Sequence, residues 1–178
     1  MKKAAVVIVL ILISLSCKRG PTQPASVAAA APSPTVVKVA SGYVTDDANV
    51  IDEATRKQLE TILAALQERR KIDFSVVTVK STGAKSVFDY SLDLARERKK
   101  NSIVQNVSGL LLLVAVDDRK WRLQITRNLE PHLTNEILTN LSTPMTDSFK
   151  QKQYAEGIRK YVNAIIDKLD QLDLQGQV

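Results

Sequence analysis

Five carboxylates have the type and placement to do chemistry in this 178-residue chain: Asp46, Asp47, Asp117, Asp118 and Glu130. The first pair follows a short β-like stretch, the second closes a long apolar run, and Glu130 follows the next β-like run. In an α/β sheet, loops at the carboxyl ends of strands converge where ligands bind. Three or more carboxylates meeting there would favour a hard cation, Ca²⁺ or Mg²⁺, which takes oxygen ligands. The same residues also suit polar turns, some of them paired with Arg119 or Lys120, and spacing alone favours that plainer reading.

Other chemistries find little support. After Gly42 the glycines are Gly83, Gly109, Gly157 and Gly176, a spacing that makes neither a phosphate-binding loop nor a dinucleotide fingerprint. One histidine and one cysteine, the latter at position 17, exclude a His/Cys zinc cluster and a cysteine nucleophile within the domain. His132 reads as a loop or surface residue, and nothing points to a nucleophilic triad.

The elements that must position the carboxylates centre on Val107–Arg127. Leu110 to Val116 is an unbroken apolar run, as in a strand covered on both faces. Asp117-Asp118-Arg119-Lys120 supplies a polar connection. Trp121 to Thr126 then alternates apolar and polar, as in a strand with one buried face. The two runs predict a β-hairpin with an acidic pair at its tip.

Before it, Asp52 is a good N-cap for a helix through about Arg70, with Leu59, Ile62, Leu63 and Leu66 on one stripe. Ile72 to Val79 reads as a buried strand broken by Ser81-Thr82-Gly83. Ser86 and Asp89 make a capping-box-like start for a second helix. That helix ends in Arg96-Glu97-Arg98-Lys99-Lys100, read as a solvated, basic helix end. After the hairpin, Thr134 caps a short helix, Pro144 suits the first turn of another, and a last helix spans about Tyr154 to Leu172. Strand and helix alternating calls for parallel pairing with right-handed crossovers. The expected fold is an α/β/α sandwich with an antiparallel edge from Trp121 to Arg127.

Charge locates the remaining features. Five of the 25 Lys and Arg precede residue 43 and none of the 19 Asp and Glu does, so the chain from Tyr43 onward carries a net +1. A near-neutral domain gives no reason to expect nucleic-acid binding. Residues 1–17 have the basic start and apolar stretch of a secretory signal, too short for a transmembrane span. Ser14-Leu15-Ser16-Cys17 resembles a bacterial lipobox, which makes Cys17 the expected lipidation site. Residues 18–42, rich in Pro and Ala, read as a tether with a root-mean-square span of roughly 25–30 Å. The globular domain is expected over residues 43–175, extracytoplasmic and anchored to a membrane through lipid.

Several short motifs occur in a particular order: Val44-Thr45-Asp46, Asp89-Tyr90, the Leu110–Ala115 strand with Asp118-Arg119-Lys120, Leu129-Glu130, Leu133-Thr134, and Phe149-Lys150 with Tyr154-Ala155 and Gly157-Ile158. This succession resembles the TPM domain family over about Tyr43 to Leu169. The resemblance implies a three-layer, Rossmann-like α/β/α sandwich with a mixed, mainly parallel sheet, on the outer side of a membrane. Family members are variously described as acid phosphatases, divalent-cation binders, photosystem repair factors and receptor modulators.

This chain departs from the family pattern around the acidic cleft. It has Arg96 to Asn101 where Trp-Gly-x-Gly is common, and Val107-Ser108-Gly109 where Asp-Asn-Gly is usual. Thr126 to Pro131 replaces a glycine-rich Gly-Tyr-Gly-Leu-Glu-Gly, and Asn135 stands where the family has Asp. The leading expectation is therefore a non-catalytic interaction module acting on proteins at the cell envelope. The alternative is a cation-dependent acid phosphatase using Asp46, Asp117, Asp118 and Glu130 as metal ligands, with Ca²⁺ or Mg²⁺.

Overall fold

The computed structural model describes residues 42–101 and 108–172. The leader with Cys17, the tether up to Ser41 and the last six residues lie outside the described residues. Eight elements follow in order: β1 (Val44–Asp46), α1 (Glu53–Arg70), β2 (Ile72–Val79), α2 (Val87–Asn101), β3 (Ser108–Ala115), β4 (Lys120–Ile125), α3 (Asn135–Lys150) and α4 (Tyr154–Gln171). The strands form one sheet in the order β1-β2-β3-β4. β1, β2 and β3 are parallel, and β4 turns back antiparallel on β3.

The two-residue side-chain period of a strand sorts the central strands onto two faces. Ile72, Phe74 and Val76 of β2 join Leu110, Leu112 and Val114 of β3 in the larger core, with residues of α1, α3 and α4. Val77, Val79, Leu111, Leu113 and Ala115 point the other way, onto Tyr90 and Leu94 of α2. This is the three-layer sandwich expected from the pattern. Leu59, Leu63 and Leu66 on α1 are fully buried, each burial being worth about 2 kcal/mol. Asp52 caps α1 as anticipated, accepting the Thr55 N–H at 2.8 Å, and Ser86 accepts the Asp89 N–H at 3.1 Å ahead of α2.

One boundary differs from expectation. Thr134 does cap a helix, but that helix continues through Pro144 to Lys150 instead of yielding to a second one. Proline removes an N–H and crowds the preceding turn. Packing outweighs that cost: Met145, one residue on, is fully buried in the larger core. Gln151 to Gln153 then reverse the chain into α4. Gly157 permits close approach of these two helices, because a Cβ there would sit 2.9 Å from the Phe149 ring and 3.0 Å from the Met145 carbonyl oxygen.

The start of the domain is fastened from two sides. The Glu60 carboxylate accepts the backbone N–H groups of Tyr43 at 3.0 Å and Val44 at 2.9 Å, while the Tyr43 hydroxyl donates to Gln67 Oε1. The expectation that Arg98 belongs to a solvated helix end is corrected here. Its guanidinium forks onto Asp73 at 3.0 and 2.9 Å and also donates to the Gly42 carbonyl at 3.0 Å. Both side chains are mostly buried, 17% and 14% exposed. Asp73 lies on the neighbouring strand β2, so α2 places Arg98 beside a carboxylate that is distant in sequence.

Candidate functional site at the carboxyl edge of the sheet

Parallel pairing brings the carboxyl ends of β1, β2 and β3 to one edge, and with them Asp46, Asp47, Asp117 and Asp118. What these side chains do there is set by their donors. Asp46 Oδ1 accepts the Val50 N–H at 3.1 Å and Oδ2 the Ile51 N–H at 2.9 Å. The Thr78 hydroxyl, at the end of β2, donates to Asp46 Oδ1. That hydroxyl also accepts the Ala48 N–H at 3.4 Å, and the Asp47 N–H reaches the Thr78 carbonyl at 3.0 Å. Asp46 thus shapes the loop into α1, in which Asn49 takes a left-handed backbone with φ 56°.

Asp118 plays the matching part on the other side of β2. Its Oδ1 accepts the Ser81 hydroxyl at 2.8 Å, and its Oδ2 accepts the Thr82 N–H at 2.8 Å and the Thr82 hydroxyl at 3.1 Å. These donors, the Thr82 N–H foremost and the Ser81 hydroxyl next, hold the Asp118 carboxyl below its ordinary range, with Lys120 adding a smaller pull. The hairpin loop is thereby pinned to the β2–α2 loop. Backbone bonds from Val116 to Val79 and from Asp117 to Lys80 extend the pin. Asp47 and Asp117 remain exposed.

Glu130 follows β4, whose antiparallel pairing leads away from this group. β4 pairs Lys120 with Ala115 at the carboxyl edge and Ile125 with Leu110 near the amino edge. A residue after β4 therefore returns to the opposite edge, about 16 Å away for five residues of strand rise. There Thr126 donates its N–H to the Gly109 carbonyl at 3.0 Å and its hydroxyl accepts the Gly109 N–H at 3.0 Å.

The fit to Ca²⁺ or Mg²⁺ follows from the donor set. Six or more oxygens must converge on such an ion. Asp46 and Asp118 already hold protein donors on both oxygens, and strand β2 stands between them. Among the described residues, no three His, Cys, Asp or Glu side chains are grouped closely enough to hold a metal. As arranged, Asp46 and Asp118 fasten loops, while Asp47 and Asp117 face solvent.

Two grooves flank β4 instead. One of about 570 Å³ is lined by Trp121, Leu123, Leu133, Leu138 and Tyr161 with Glu130. The other, about 780 Å³, is lined by Trp121, Phe149 and Tyr154 with Arg119, Lys120 and Lys152. Trp121 borders both. The sequence marks it only as one apolar position in an alternating strand; that it is the sole tryptophan of the chain was the available signal. Ser81 and Thr82, read from sequence as a strand breaker, turn out to be the partners of Asp118.

The fold and site define an α/β/α sandwich with acidic loops at the carboxyl edge of a mixed sheet. The TPM domain model matches residues 44–168, and the chain belongs to the TPM domain family. It is 24% identical over 120 residues to the UPF0603 protein YdjH of Bacillus subtilis, covering 67% of this chain but 45% of YdjH, so it spans less than half the length of that relative. The solution structure of the N-terminal domain of a P. gingivalis protein superposes with a TM-score of 0.63 at 30% identity, over 73% of this chain and 83% of that one. The BA42 protein of Bizionia argentinensis shares the fold at 16% identity, with a TM-score of 0.58 over 68% of this chain and 82% of BA42.

Proposed function

We propose that this TPM domain is a non-catalytic interaction module, held at the outer face of a membrane by a lipidated Cys17 and the tether that follows. The observation that carries the reading is the commitment of Asp46 and Asp118. Each uses both oxygens to fasten its own loops, and Glu130 stands at the far edge of the sheet. The signal-like residues 1–17 and the Pro/Ala-rich residues 18–42 support the tethered arrangement. No helix of the described residues is long and apolar enough to cross a membrane, so in this reading attachment rests on the lipid.

The alternative, a cation-dependent phosphomonoesterase, draws on the gathering of Asp46, Asp47, Asp117 and Asp118 at one edge. Calorimetric titration with Ca²⁺ and Mg²⁺, run beside turnover of p-nitrophenyl phosphate, separates the two. The module reading expects neither saturable heat nor turnover. Saturable binding abolished by Asp118→Asn would overturn the reading of a dead site, and robust hydrolysis would establish the enzyme. Mass spectrometry of the mature protein tests the anchor: an unmodified N-terminus at any residue other than Cys17 removes it.

A further inference from the structure

We propose that the free edge of β4 is the docking site of this module, and that it takes an extended acidic segment of a partner protein as a fifth strand. The inference rests on the interaction-module reading and names its surface and partner class.

The backbone supplies the first argument. In an antiparallel pair, hydrogen-bonded and non-hydrogen-bonded positions alternate. Thr126 donates to Gly109, which sets the phase: Gln124, Arg122 and Lys120 pair with β3, and the N–H and C=O groups of Trp121, Leu123 and Ile125 face outward. None of these six outward groups bonds to another described residue. β4 is the last strand of its sheet, so an unpaired row runs along the edge.

Natural edges are usually guarded by charged side chains, proline or a bulge. Here the guard is turned aside. Arg122 lies over the Phe88 ring at 5.1 Å, and Gln124 donates to Ser91 at 2.9 Å, both directed onto α2. The opposite side of the edge is open, flanked by the two grooves that meet at Trp121. Strand addition uses this combination, main-chain bonds for affinity and pockets for alternate side chains. Leu133 and Leu138 offer one apolar pocket, Phe149 and Tyr154 the next.

Charge selects the occupant. Arg119, Lys120, Lys150 and Lys152 line the second groove against Asp117 alone. Lys150 is paired with Asp147 at 2.8 Å, but Arg119 and Lys152 have no ion-pair partner among the described residues, and Lys120 has only its longer-range attraction to Asp118. An acidic segment neutralises them and a basic one meets repulsion.

Trp121 gives a direct readout in the full chain held in neutral detergent. The probe is a capped hexapeptide of alternating Glu and Val, with a Lys-for-Glu peptide as control. We expect a saturable shift of Trp121 emission with the acidic peptide and about tenfold weaker response to the basic one. The double charge reversal Lys120→Glu with Lys152→Glu, at exposed positions, should weaken the acidic peptide by about tenfold. Ile125→Pro should abolish binding, because it removes one outward N–H and no bond of the β3 ladder. No response to the acidic peptide at millimolar concentration overturns the proposal. So does equal response to both peptides, or binding unchanged in the double reversal. An emission shift that follows protein concentration without peptide would make a second copy the occupant, and one produced only by phosphatidylglycerol vesicles would make it a membrane; either overturns the proposal. Phosphomonoester turnover alongside peptide binding would overturn the non-catalytic reading and leave the docking edge intact. A chain that binds no peptide and turns over nothing would do the reverse.

Discussion

Trp121 on β4 meets Tyr161 on α4 edge-to-face, with ring centroids 5.6 Å apart and planes at 69°. The contact joins the edge strand to the helical layer, and the Tyr161 hydroxyl beneath it is buried with no hydrogen-bond partner among the described residues. Burial pushes the Tyr161 phenol well above its ordinary range.

Removing that hydroxyl should cost nothing. An unpartnered buried polar group carries a desolvation penalty of about 1–3 kcal/mol. Tyr161→Phe keeps the ring and its contact with Trp121. Urea unfolding should show unchanged stability or a gain of about 1 kcal/mol. A loss of that size would mean that the hydroxyl has a partner after all.

The Arg98–Asp73 fork should matter more than an ordinary surface ion pair. Arg98→Ala leaves the Asp73 carboxylate mostly buried beside an unanswered Gly42 carbonyl. The expected loss is about 2–4 kcal/mol. Arg98→Lys should recover less than half of it, because an ammonium cannot reproduce the planar fork. Chemical denaturation of the three proteins checks the order.

Asp118 predicts a pH dependence with a definite sign. Its folded carboxyl lies below the unfolded value of about 3.9, so its contribution is full above that value. It is lost as pH falls through the lower folded value. Asp118→Asn should therefore lower stability by about 1 kcal/mol at neutral pH, and the deficit against the parent should shrink below about pH 4. A deficit that persists unchanged at pH 3 would contradict the role given to its charge.

Gly157→Ala tests the α3–α4 approach. In an open helix alanine would stabilise by about 1 kcal/mol, but here the new methyl meets the Phe149 ring and the Met145 carbonyl. We expect a loss of about 1–3 kcal/mol in thermal or urea unfolding. A gain would show that Phe149 moves aside freely.

Much of the fold is legible in the sequence. The apolar run Leu110–Ala115, the stripe Leu59-Leu63-Leu66 and the caps Asp52, Ser86 and Thr134 are local signals, and each stands where the pattern places it. Pro144 was misleading because its cost is local while the burial of Met145, which outweighs it, depends on the rest of the core. The site was less legible. Spacing grouped Glu130 with the aspartates, and only the antiparallel return of β4 sends it to the other edge.

The sequence by itself determined the layers, because the two-residue and 3.6-residue periods of apolar side chains decide which faces must be buried. It also carried the ordered motifs by which the chain joins the TPM domain family. Tertiary structure decided what the polar residues do. Whether Asp118 offers its oxygens outward or spends them on Ser81 and Thr82, whether Arg98 is solvated or forks onto Asp73, and whether the edge at Trp121 is covered or open are all relations between segments remote in the chain. They exist only once the sheet has brought those segments within hydrogen-bonding distance.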